Sequence, residues 1–129
     1  MIDHIGIAVQ NQPASKSFYL KALAPLGIGI VMEVPRAESG LPYDSTGFGA
    51  DGKPFFWIGE GRTDRPVHLA FAADSRAQVD AFYAAAIAAG ARDNGPPGIR
   101  PDYHPSYYGA FVIDPNGINL EAVCHRPDG

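Results

Sequence analysis

The sequence predicts an α+β fold in which one strand–helix–three-strand unit occurs twice. Three observations predict it. The chain restarts after 64 residues: His4 falls on His68, Ala8 on Ala72, Phe18 on Phe82, Tyr19 on Tyr83, Ala22 on Ala86 and Ala24 on Ala88. The segment that opens each copy alternates bulky and small side chains, the period-two pattern of a strand. The segment after it carries apolar residues at helical spacing. A unit of about 60 residues buries too little surface to be stable alone. The 129 residues therefore form one domain, with module one over about residues 1–62 and module two over about 63–129. Merging the two sheets would bury a common core, with the helices outside.

Each element follows from local pattern. In the strand Ile2–Val9, Ile5, Ile7 and Val9 face one way and His4, Gly6 and Ala8 the other. Asn11 to Pro13 starts a helix, Phe18, Ala22 and Leu23 give it an apolar face, and Pro25 with Gly27 ends it. Ile28–Val34 is a second apolar strand, 35–43 a loop, and Ser45–Ala50 and Pro54–Gly59 are strands joined at Asp51-Gly52. The pattern then restarts with the strand Pro66–Ala73. Ser75 and Gln78 form a capping box. Val79, Phe82, Tyr83, Ala86 and Ile87 make a helical stripe that Gly90 stops. Residues 92–106, rich in Gly and Pro, read as a long loop. Tyr107–Ile113 and Ile118–Cys124 are strands joined by Asp114-Pro115-Asn116-Gly117.

Composition excludes several classes. Apolar residues are 46% and charged residues 19%, which suits a packed core and not a disordered chain. A net charge of −4 gives no basic footprint for nucleic acid. No apolar run reaches the roughly 18 residues of a membrane span, and the first ten residues lack a signal-peptide pattern. The one cysteine, Cys124, forms no intrachain disulfide, which points to a reducing cytoplasm. Cys124 itself falls on the bulky strand face and reads as core packing.

The strand faces carry the chemistry. Ile5, Ile7, Val9, Leu69, Phe71, Leu120, Ala122 and Cys124 belong under the helices. The other face carries His4, His68 and Glu121 among mostly small neighbours, as on the inside of a curved sheet with room for a guest. Two imidazoles and one carboxylate suit a divalent ion such as Fe(II), Mn(II) or Zn(II) and leave positions open for substrate and water. The imidazoles bind when neutral, so binding weakens at acidic pH.

The segments IDHIGIAV, HLAFAA and AFVIDPNGINLEAV resemble the vicinal oxygen chelate superfamily of glyoxalase I, bleomycin and fosfomycin resistance proteins and extradiol dioxygenases. The resemblance spans nearly the whole chain, and the D-P-N-G turn followed by Glu is its most specific part. It implies paired βαβββ modules forming a cupped mixed sheet around a divalent metal, Fe(II), Mn(II), Zn(II) or Ni(II). It puts His4, His68 and Glu121 on the metal-ligand positions, and it implies a substrate bound through two neighbouring oxygens. Trp57 stands where glyoxalase I has a fourth ligand, which leaves three. The extradiol pattern is matched by His104, Ala110, Asp114, Pro115, Gly117 and Glu121, with Phe111 in place of a tyrosine. The superfamily also implies a homodimer, with the modules pairing within one chain or between two.

Other residues join this site by proximity in sequence. His104 is placed to exchange a proton with substrate, and Tyr103 or Tyr107 to hold an oxyanion. Arg100 suits a carboxylate in forked geometry. Trp57, Tyr108 and Phe111 are expected to contact substrate. Two classes of function follow: a metal-dependent lyase, isomerase or dioxygenase acting on a small molecule, or a non-catalytic small-molecule binder of the bleomycin-resistance type.

Overall fold

The computed structural model describes residues 2–129. Module one holds strands β1 (Ile5–Val9), β2 (Gly29–Val34), β3 (Ser45–Ala50) and β4 (Lys53–Glu60), with helices α1 (Gln12–Leu23) and α2 (Arg36–Ser39). Module two holds β5 (His68–Ala72), helix α3 (Arg76–Ala88), β6 (Arg92–Ile99), β7 (Tyr108–Ile113) and β8 (Asn119–Cys124). Helices α1 and α3 start as their sequences dictate. Asn11 Oδ1 accepts from Ala14 N at 3.0 Å, and Ser75 Oγ accepts from Gln78 N at 3.1 Å. Gln78 reaches back to the amide of Asp74, one residue before the cap, at 2.7 Å. Gly27, at φ 77°, closes the 3-10 turn that follows α1.

Each module forms a four-stranded sheet, in the orders β1-β4-β3-β2 and β5-β8-β7-β6. The registers repeat with the sequence offset. Gly6 pairs with Trp57 as Ala70 pairs with Glu121, and Gly47 pairs with Trp57 as Phe111 pairs with Glu121. The two sheets are not hydrogen-bonded to each other, in contrast to the merged sheet the sequence suggested. The modules meet through their helix-side faces instead. Helix α1 packs on α3, Phe56 meets Phe71 edge-on at 5.4 Å, and a single buried cluster runs from Val9 and Phe18 to Val112 and Leu120.

The segment 92–106 is only partly loop. Its first half is the edge strand β6, bulged twice against β7. An edge strand accepts Pro96 and Pro97 because one side of it needs no donors. This strand completes the second strand–helix–three-strand unit.

The D-P-N-G turn joins the modules. Asp114 Oδ1 accepts from the amides of Asn116 and Ile118, each at 2.8 Å. Its other oxygen accepts from the buried Tyr19 hydroxyl at 2.5 Å. Asn116 accepts from the amide of Gln10 at 2.8 Å and donates to Ser15 Oγ at 3.1 Å. Burial first, and then the Asp114 charge, push the Tyr19 hydroxyl well above the usual tyrosine range.

Candidate metal centre

The open face of module two brings His68 and Glu121 together. Parallel pairing of β5 with β8 sets His68 opposite Asn119 and Ala70 opposite Glu121, so the two side chains rise from neighbouring strands on one face. His68 Nε2 lies 3.1 Å from Glu121 Oε1. Glu121 is only 1% exposed, while the His68 ring is half open to solvent. The other imidazole nitrogen, Nδ1, lies 3.1 Å from the carbonyl oxygen of Asn119. A carbonyl only accepts, so Nδ1 carries a proton and Nε2 is the atom left for a ligand.

Tyr107 completes the support of Glu121. Its hydroxyl donates to Glu121 Oε2. Gly109 makes this contact possible, since a Cβ there would lie 3.1 Å from Tyr107 Cε1 and 3.3 Å from Glu121 Oε2. Burial, and then the hydrogen bond to Glu121, raise the Tyr107 hydroxyl far above its ordinary range. It stays protonated and serves as a donor.

Around this pair stand most of the other predicted residues. Phe111 lies beside the His68 ring, nearly parallel to it at 6.3 Å. Arg100 covers Phe111 at 5.4 Å, and its guanidinium donates to the carbonyls of Gly98 (2.9 Å) and Pro96 (2.7 Å). Two of its donors are thus engaged by the edge strand and not by an open fork. Tyr103 and His125 meet the Tyr107 ring edge-on at 5.0 and 5.1 Å, and His104 meets His125 at 5.8 Å. His104 Nδ1 accepts from the amide of Ser106 at 3.0 Å. The neutral His104 ring therefore carries its proton on Nε2.

Tyr108 does not join them. Strand alternation turns it to the helix side, where its hydroxyl donates to Asp80 at 2.6 Å and Arg76 covers its ring. It packs α3 against β7 and has no access to the open face of module two.

His4 and Trp57 lie on the open face of the other sheet. His4 precedes β1, with Nδ1 2.8 Å from Asp3, which also takes the Lys53 ammonium. Lys53, and after it the His4 ring, hold the Asp3 carboxyl below the usual range. A single chain thus joins two of the three expected ligands and carries the third on the other module. Among the described residues, no three His, Cys, Asp or Glu side chains gather as a metal site. Module one carries His4 and module two carries His68 and Glu121, and the modules meet through their helix-side faces.

Three supporting groups escaped the sequence reading. Asp3 and Lys53 gave no signal beyond adjacency, and the Asn119 carbonyl has no sequence signature. Tyr43 falls on Tyr107 at the 64-residue offset.

Comparison with known proteins agrees with this architecture. Residues 1–122 match the family described as the Glyoxalase/Bleomycin resistance protein/Dioxygenase superfamily. A glyoxalase/bleomycin resistance protein from Albidiferax ferrireducens is 30% identical with a TM-score of 0.73, over 96% of this chain and 98% of that one. A glyoxylase/bleomycin resistance protein/dioxygenase domain from a Frankia species shares 20% identity and a TM-score of 0.74, over 98% of each chain. The fosfomycin resistance protein FosX from Listeria monocytogenes shares the fold at 16% identity and a TM-score of 0.69, over 98% of this chain and 93% of that one. No curated protein matches the sequence. Sequence and fold together make the chain a member of the glyoxalase/bleomycin resistance protein/dioxygenase superfamily.

Proposed function

We propose that this protein is a divalent-metal-dependent enzyme of the glyoxalase/dioxygenase type, acting as a homodimer on a small substrate with neighbouring oxygens. The observation that carries this reading is the His68–Glu121 pair. With Nδ1 bound to a carbonyl, Nε2 faces a buried carboxylate oxygen at 3.1 Å. Two lone pairs repel at that distance, so the space between Nε2 and Oε1 suits a positive charge, which a divalent ion held by both atoms would supply. The third ligand is then His4 of a second copy. It sits at the matching position of module one, its Nδ1 held by Asp3 and its Nε2 without a hydrogen-bond partner among the described residues.

A bound metal would hold both substrate oxygens and stabilise the negative charge that develops on them. The chain supplies the rest. Tyr107 fixes Glu121, and the Asn119 carbonyl fixes His68. His104 presents an Nε2 proton, placed by the Ser106 amide, to a substrate oxygen. Phe111 shields the pair from water on one side.

One observation favours a second reading, a non-catalytic binding protein. A cleft of about 640 Å³ on module one, bordered by Trp57 and Tyr43, is within the size range of ligand pockets without any metal. Metal analysis of protein purified without chelator separates the two. About one divalent ion per chain, lost in His68→Ala, supports the enzyme. Equal metal content in both proteins refutes the site. Metal-free protein that still binds small aromatic molecules supports the binder.

A further inference from the structure

The two modules share a backbone register but differ in what they place on it. In module two, the central position of the open face holds Glu121, flanked by Phe111 and Tyr107. In module one, the corresponding positions hold Trp57, Gly47 and Tyr43. Gly47 is there because Trp57 lies over it: a Cβ would fall 2.9 and 3.0 Å from Cη2 and Cζ2 of the indole. Tyr43 is laid over a second glycine in the same way, since a Cβ at Gly59 would be 2.4 Å from its ring. Module one has exchanged the carboxylate of Glu121 for the indole of Trp57, and both Trp57 and Tyr43 are seated on glycines. The result is a floor bordering two clefts of about 640 and 320 Å³, both lined by Tyr43 and Trp57. Polar groups gather at one end of the larger cleft, where His4, Asp3 and Lys53 meet.

We propose that module one is the specificity half of the site: the floor made by Trp57 selects a flat aromatic ring, and the ligand's neighbouring oxygens lie at the His4 end. The ligand class is a small arene bearing two adjacent oxygen functions. A flat ring stacks on the indole face, and a puckered ring of equal size does not. The location of the oxygens rests on the function proposed above. The selection of a flat ring does not.

Mandelate and hexahydromandelate test this, because they share one hydroxy-acid head and differ only in phenyl against cyclohexyl. The expected result, by calorimetry on the metal-loaded protein, is mandelate binding about fivefold tighter, although cyclohexyl is the greasier group. Trp57→Leu abolishes the preference. Gly47→Ala, which lifts the indole from its seat, reduces it. Trp57 is the single tryptophan of the chain, so its fluorescence changes saturably with mandelate. Equal or tighter binding of hexahydromandelate, an undiminished preference in Trp57→Leu, or no mandelate binding at all overturns the proposal. Metal analysis of protein purified without chelator, run beside the titration, keeps the two readings apart. Protein that holds no metal yet keeps the preference sinks the metal centre and leaves the aromatic floor. Bound metal without a preference does the reverse.

Discussion

Replacing Tyr107 with Phe removes one hydroxyl and leaves the ring packed between Tyr103 and His125. Glu121 is 1% exposed, so the oxygen that loses its donor has no water to replace it. A hydrogen bond to a charged group contributes about 1.5–3 kcal/mol. For a domain of this length that corresponds to a melting temperature lower by roughly 5–10 °C. The same hydroxyl orients a proposed metal ligand, and loss of such support weakens metal binding about 10–100-fold. Scanning calorimetry on metal-free protein reads the first effect, and competition against a chelator of known affinity reads the second. Both must move. A variant that melts lower but keeps its metal affinity would make Tyr107 a packing residue only. A variant with an unchanged melting temperature would show that Glu121 does not depend on this donor.

Two further substitutions follow from the same geometry. Gly109→Ala inserts a methyl within 3.1 Å of Tyr107 and 3.3 Å of Glu121, so it separates the pair and lowers metal affinity by about tenfold, measured by the same competition. Tyr19 tests the clasp between modules. Its hydroxyl is raised in the folded state, so above the ordinary tyrosine range near pH 10 the unfolded chain loses a proton that the folded chain keeps. The unfolded state then binds fewer protons, and stability falls as pH rises, by up to about 1.4 kcal/mol per pH unit for one group. Urea titrations at pH 9, 10 and 11 are expected to show this slope reduced in Tyr19→Phe.

Much of the fold was legible because it is written twice. The offset that pairs His4 with His68 is the offset that relates the strand registers, and it assigned the open-face residues correctly down to Trp57 opposite Glu121. Local composition misled at 92–106, where Gly and Pro suggested a loop. Those residues are tolerated in β6 because it is an edge strand, and edge position is a tertiary property. Tyr107 and Tyr108 were both expected to face the substrate. Alternation along β7 allows only one of them, and Tyr107 is the one whose parity agrees with Glu121. The separation of His4 from His68 and Glu121 left no trace in sequence. It depends on whether the modules join by strand edges or by helix faces, and both use the same apolar stripes. The D-P-N-G turn carried the family resemblance, yet its Asp and Asn are occupied in fastening one module to the other.

The sharing of one metal centre between two copies is tested most directly by mixing defective proteins. His4→Ala and His68→Ala are each expected to lose bound metal. Unfolded together and refolded as a mixture, they would form mixed dimers with one intact site, made of His4 from one copy and His68 with Glu121 from the other. About a quarter of the wild-type metal content is then recovered at equal proportions, if half the dimers are mixed and each has one of two sites restored. No recovery, in dimers shown to have exchanged subunits, would place all the ligands within one chain or dismiss the site.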